Sequence, residues 1–151
     1  MPKIYTDDFS RAQDVSTGSD VGIPSTYCMA LNGAKILGIG TPVFVESHVD
    51  TTFVGSSKPL DIYVGFGADA AGFTSSPTVV GPPIMQIPTV TPANTNQCAA
   101  LPQVAVPDGM TVWGFVYKGP NGALSTGAIT VGLTLEPGRD TTVPRAEVNI
   151  G

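Results

Sequence analysis

Two runs near the end of the chain leave little freedom in the choice of fold. In Met110-Thr111-Val112-Trp113-Gly114-Phe115-Val116-Tyr117, one face carries Met110, Val112 and Val116, and the other carries Trp113, Phe115 and Tyr117. A period of two with apolar groups on both sides is a strand that must be covered on both faces. A cluster of turn formers follows, Lys118-Gly119-Pro120-Asn121-Gly122. After a Ser/Thr/Gly spacer comes a second alternating run, Ile129-Thr130-Val131-Gly132-Leu133-Thr134-Leu135-Glu136. Its pattern turns Ile129, Val131, Leu133 and Leu135 inward and Thr130, Thr134 and Glu136 outward. The two runs are expected to form a central hairpin. A two-stranded unit is unstable alone, so further strands must pack on it.

The chain supplies those strands. Thr26-Tyr27-Cys28-Met29-Ala30-Leu31 and Ala34-Lys35-Ile36-Leu37-Gly38-Ile39 flank Asn32-Gly33, a pair that favours a hairpin turn because both positions need positive φ. A short helix capped by Gly33 is the alternative there. Thr41-Pro42-Val43-Phe44-Val45-Glu46 reads as a strand opened by proline, and Thr51-Thr52-Phe53-Val54 as a short strand or a loop. Leu60-Asp61-Ile62-Tyr63-Val64-Gly65-Phe66 alternates cleanly, with Leu60, Ile62, Val64 and Phe66 inward. From Gly67 to Pro92 the sequence is loop-like, with an edge strand at Ile84-Met85-Gln86-Ile87. Val104-Ala105-Val106 leads through Pro107-Asp108-Gly109 into the central runs. No fixed-period repeat occurs.

The expected fold class is therefore all-β: a single-domain antiparallel β-sandwich or jelly roll, or a β-tulip-like barrel. With 18 glycines and 14 prolines in 151 residues, short strands and tight turns are favoured over long helices. Residues 1–24 hold few large apolar side chains among several aspartates and read as an extended N-terminal arm. Residues 25–136 form the body, and 137–151 an extended C-terminal tail.

Charge excludes some functions. Only 13% of residues are charged, against roughly 25% in an ordinary soluble domain, so the surface is either neutral and hydroxyl-rich or covered by other subunits. The net charge of −5, with seven scattered basic residues, argues against binding nucleic acid. No apolar run matches a signal peptide or a membrane span, which points to the cytosol unless a leader has been removed. In that compartment Cys28 and Cys98 are expected as small buried hydrophobes rather than a disulfide, and their separation rules out a CxxC site.

Each candidate chemistry has a plainer reading beside it. Gly65-Phe66-Gly67-Ala68-Asp69-Ala70 matches G-x-G-x-x-A, but Gly72-Phe73-Thr74-Ser75-Ser76-Pro77 offers no amphipathic helix to receive a pyrophosphate. His48, the only histidine, has Glu46 and Asp50 at alternate positions, a spacing that suits a cation on one strand face or, more plainly, a solvated edge. No G-x-S-x-G elbow selects a serine for a Ser-His-Asp arrangement. Trp113, Tyr117 and Tyr63 suggest a sugar platform, although a lone tryptophan in the strongest strand is more often core. Asn94-Thr95-Asn96-Gln97 reads as a solvated loop or a polar recognition loop. No catalytic residue, metal or cofactor is expected.

A small all-β body, low charge, long uncharged connections and two polar ends suit an assembly component. In general build, from Ile4-Tyr5-Thr6-Asp7-Asp8-Phe9 through the strands to Thr142-Val143-Pro144-Arg145, the chain resembles the capsid decoration, or cement, proteins of tailed bacteriophages. The resemblance implies a non-enzymatic protein on the capsid exterior of a virion assembled in the host cytoplasm. It implies binding to the major capsid protein and stapling of neighbouring coat subunits, as a homo-oligomer with a trimer preferred over a dimer. Candidate subunit or coat contacts are Ile4, Tyr5, Phe9 and Arg11 in the arm and Val143 and Arg145 in the tail, with apolar groups anchoring and arginines pairing with carboxylates. The alternatives are a carbohydrate-binding or adhesion module, and another virion part such as a coat or fibre domain.

Overall fold

A computed structural model describes residues 8–16, 20–40, 42–55, 59–88, 90–120 and 122–135. The fold is all-β. Its strands are β1 (Asp8–Asp14), β2 (Ile23–Pro24), β3 (Met29–Ala30), β4 (Ile36–Leu37), β5 (Phe44–Val54), β6 (Leu60–Gly67), β7 (Thr78–Ile87), β8 (Asn96–Ala100), β9 (Val104–Ala105), β10 (Val112–Lys118) and β11 (Thr126–Thr134), with one short helix, α1 (Ala70–Ser75). One sheet has the order β1-β11-β5-β8. The other has the order β2-β10-β6-β7, with β3 also on β10, and β4 with β9 makes a small ribbon. All pairings are antiparallel. The two main sheets pack as a sandwich, and among the described residues they do not close into a barrel.

The alternation of the strongest strands survives intact. Leu60, Ile62, Val64 and Phe66 of β6 and Trp113, Phe115 and Tyr117 of β10 all enter the core, facing Val45, Val49 and Phe53 of β5 and Ile129 and Val131 of β11. The expected central hairpin is not formed, however: β10 and β11 lie in different sheets and face each other across the core. The segment between them is far longer than the two-residue loop that would fix a hairpin register, so the chain crosses layers instead. On β11 the alternation stops at Leu133, which packs against the core; Thr134 is buried and Leu135 exposed.

The N-terminal arm needs the largest correction. Residues 8–14 form a strand on β11, and residues 23–24 form one on β10. Phe9 is only 2% exposed, its ring 4.8 Å from those of both Trp113 and Phe115. The segment looked too polar for core because β1 is an edge strand that buries few side chains and is held largely by backbone pairing. It carries a bulge, with Ser10 opposite Val131 and Gln13 opposite Ile129, and Ala12 at φ 46 donates its N–H to Thr130 Oγ1.

Other expectations changed in detail. Asn32 and Gly33 do adopt positive φ, 53° and 81°, and the Ala34 N–H bonds Leu31 O at 3.0 Å, yet the flanking strands pair elsewhere, β3 with β10 and β4 with β9. Thr51-Thr52-Phe53-Val54 continues β5. The region read as loop after Gly67 contains α1 and most of β7, which is indeed an edge strand but a longer one than expected. Cys98 is exposed and Cys28 half-buried, rather than both being core as expected.

Candidate functional site

The two long sides of the sandwich are unlike. On one, β1 is stitched to the facing sheet: the Tyr27 N–H bonds Phe9 O at 2.9 Å, Gln13 Nε2 donates to Pro24 O at 2.9 Å, and the Thr26 N–H bonds Gln13 Oε1 at 3.1 Å. On the other, β7 and β8 each end the strand order of their sheet among the described residues, and a cleft of about 430 Å³ lies between them. Val64 and Val80 stand behind it, Pro82, Pro83 and Ile84 form one lip, and the segment from Ala100 to Ala105 forms the other.

The lip on β7 is a wide bulge. Ile62 of β6 faces Met85 and Val64 faces Val80, so residues 81–84 swing out of the ladder, with Gly81 at φ 79. Pro82 and Pro83 lack N–H donors and are tolerated because this part of the strand needs none. The opposite lip is braced by Gly38: a Cβ there would lie 2.4 Å from Pro102 O. Beside it Ile36, paired with Ala105, is 44% exposed and Ile39 is 60% exposed. The site is thus an apolar slot bounded by two strand edges, a shape that accepts an extended apolar segment.

The sequence contained a signal for this surface. From Ala70 to Pro107 there is no Asp, Glu, Lys, Arg or His, and that uncharged span holds β7, β8, β9 and both lips. Edge strands in free monomers are commonly protected by charge, whereas β7 carries prolines and a bulge instead. A count of charge over the whole chain hides the run.

The sequence candidates fall elsewhere. Phe9 is in the core and not on a contact surface. Arg11 has a side chain 71% exposed and pairs with Asp8, Nε to Oδ2 at 3.1 Å. Ile4, Tyr5, Val143 and Arg145 lie outside the described residues. His48, Glu46 and Asp50 share the outer face of β5, an inner strand rather than an edge. His48 Nδ1 and Asn96 Oδ1 are 2.7 Å apart, His48 Nε2 is 3.8 Å from Asp50 Oδ1, and Asp50 Oδ2 accepts from Thr130 Oγ1 at 2.6 Å. The histidine is hydrogen-bonded to an amide on the sheet surface with a carboxylate nearby, and among the described residues no serine is in its hydrogen bonds. Among the described residues no group of three or more His, Cys, Asp or Glu gathers as a metal site.

The glycine-spaced motif does start a helix, contrary to expectation. Asp69 caps it by accepting the Gly72 N–H at 2.6 Å, and α1 runs for six residues with Phe73 as its buried residue. The glycines make room for that ring: a Cβ on Gly67 would lie 2.7 Å from Phe73 Cβ, and one on Gly114 would lie 2.6 Å from Phe73 Cζ. Trp113 and Tyr117 are 4% and 0% exposed, and Tyr63 sits on the opposite face of its sheet, so the three rings form no platform. The Tyr63 phenol is pushed above its ordinary value by burial and by the neighbouring Asp61 carboxylate, which also accepts from Gln86 Nε2 at 2.7 Å. Of the expected polar loop, Asn94 adopts φ 67 and donates its N–H to Val49 O, while Asn96 and Gln97 belong to β8.

No helix among the described residues is long and apolar enough to cross a membrane. In comparisons with known proteins, no family model and no curated protein matches this chain.

Proposed function

We propose that this chain is a non-enzymatic structural protein of a virus particle, bound to the outer capsid surface, where it staples neighbouring coat subunits and stabilises the shell. The observation that carries the reading is the uncharged span with the apolar cleft it lines between β7 and the segment from Ala100 to Ala105, and exposed Ile36 and Ile39 beside it. Such a surface is costly to leave in water and is used where a neighbour covers it. Its partners are the major capsid protein and further copies of itself, a homotrimer in preference to a dimer, assembling in the host cytoplasm. The build resembles capsid decoration proteins more closely than sugar-binding modules, whose aromatic platform has no counterpart in Trp113, Tyr117 and Tyr63.

Co-sedimentation tests this. The purified chain is mixed with shells assembled from the coat protein of the same virus and pelleted. Saturable recovery in the pellet, at a fixed ratio to coat subunits, is expected. A chain that stays in the supernatant at every ratio contradicts the proposal.

A further inference from the structure

We infer that the cleft, the seam between the two sheets, receives Ile36 and Ile39 of a second copy of this chain, and that this contact closes between copies held side by side on the shell rather than in dilute solution. The inference rests on the structural reading above and names the partner of that surface.

The donor is built as a ridge over residues 36–40. Ile36 pairs with Ala105 on the rim of the cleft, the Val106 N–H bonds Lys35 O at 2.9 Å, and Leu37, between the two exposed isoleucines, is buried. Gly38 leaves no space for a side chain against Pro102 O, so the ridge rests directly on the cleft's own lip. Ridge and cleft are one preformed unit, and docking orders little further chain. The receiver is dry in character. Gln103 supplies the one polar side chain of its lining, and Pro82, Pro83 and Pro102 have no N–H to strand beneath an apolar group. At about 430 Å³ it takes a few side chains.

Charge selects the partner. The ridge belongs to an uncharged run over residues 36–45 and both lips to the uncharged run from Ala70 to Pro107, so all 12 acidic and 7 basic residues lie outside them. A net charge of −5 makes copies of this chain repel, and like charges brought together at a contact cost binding. A second copy can approach where neither side carries charge, which ridge and cleft provide on both sides of the contact. A partner of unlike charge would be met on the acidic remainder of the surface instead.

Geometry and size set the kind of assembly. Ridge and cleft are different surfaces, so the contact is head-to-tail. Because they adjoin through Ile36 and Ala105, both are filled around a nearby axis, as in a small closed ring. Two partly exposed isoleucines fall well short of the roughly 1,200 Å² that stable complexes bury, and covering them does not offset the freedom two molecules lose on associating. Copies bound at adjoining positions on a shell meet at an effective concentration on the order of 1 mM, and there the contact closes.

Two measurements test it. Amide NMR spectra are recorded from about 0.05 to 2 mM for the full chain, Ile36→Asp with Ile39→Asp, Gln103→Glu, and Val21→Asp, an exposed residue outside both surfaces. Co-sedimentation with shells of the coat protein is then followed across a concentration series for the same four proteins. The expected result is that signals of residues 79–84 and 103–105 move with concentration in the full chain and Val21→Asp, and that the association is at least about tenfold weaker in the other two. The full chain should also fill shells cooperatively, and the ridge and cleft variants without cooperativity. Gln103→Glu changes charge without changing shape, so the test stands even if the double ridge variant fails to fold. Signals independent of concentration, with equal cooperativity in all four proteins, overturn the inference, while continued pelleting leaves the structural reading standing. Ridge and cleft variants that fold but no longer pellet assign the cleft to the coat protein and overturn the inference as well. A full chain that never pellets overturns the structural reading, and with it the shell as the place of contact.

Discussion

Tyr117 and Ser10, 107 positions apart in the chain, share a hydrogen bond of 2.7 Å inside the core. Ser10 Oγ donates its one proton to Gln13 Oε1 at 2.5 Å, so the tyrosine hydroxyl is the donor between the two. The contact joins β10 of one sheet to β1 of the other, on the side of the sandwich that is closed.

Removing either partner is expected to have unequal effects. Tyr117→Phe leaves Ser10 bonded to Gln13 and should cost about 1 kcal/mol, whereas Ser10→Ala strands a buried phenol and should cost about 1–3 kcal/mol. Urea unfolding of the two variants, with equal slopes, measures the difference.

Burial also raises the Tyr117 phenol well above its ordinary value of 10.0. The unfolded chain therefore loses this proton first as pH rises, and above about pH 10 it binds fewer protons than the folded chain. Stability should be unaffected by this group below that pH and fall progressively above it. Urea midpoints from pH 8 to 11 check the sign, with Tyr117→Phe showing a shallower decline.

The N-terminal strand belongs to the core, so Phe9→Ala should cost about 3–5 kcal/mol. Arg11→Ala should change stability by less than about 1 kcal/mol, since the Arg11 side chain is 71% exposed and solvent screens its pairing with Asp8. Deleting residues 1–11 is accordingly expected to destabilise the body rather than merely remove a contact arm, which thermal melts read directly.

Phe73 and Gly114 should be coupled. Phe73→Ala opens a cavity over the glycines and should cost about 3–5 kcal/mol, while Gly114→Ala overpacks against the ring and should cost about 1–3 kcal/mol. In the double variant the new methyl group no longer meets the ring, so the combined loss should be smaller than the two single losses added together. A denaturant double-mutant cycle measures the coupling.

Val90, a β-branched residue, sits at φ 61 on an exposed turn, a conformation that costs about 1–3 kcal/mol. Val90→Asn, which tolerates that region, should raise the urea midpoint without changing the slope.

Much of the fold was legible because β6 and β10 bury one face under another layer, and burial writes its period into the sequence. The Asn32-Gly33 turn was equally legible, since positive φ is a local demand. Partner choice was not: nothing local tells β3 to join β10 and β4 to join β9, or places β10 and β11 in different sheets. Edge strands hid for a related reason. β1 buries little beyond Phe9, and β7 carries Gly81-Pro82-Pro83, which reads as a loop in any strand that must donate hydrogen bonds on both sides. The seam depends on which strands end up side by side in the assembled sheets, although the uncharged run from Ala70 to Pro107 marks its walls.

Amide hydrogen exchange along residues 79–84 and 100–105, compared between the chain alone and the chain bound to shells of the coat protein of the same virus, tests most directly whether the seam is a contact surface. These amides are expected to exchange at least about tenfold more slowly in the bound chain, with β6 and β10 unchanged between the two. Equal rates along both segments in the two states would contradict the account.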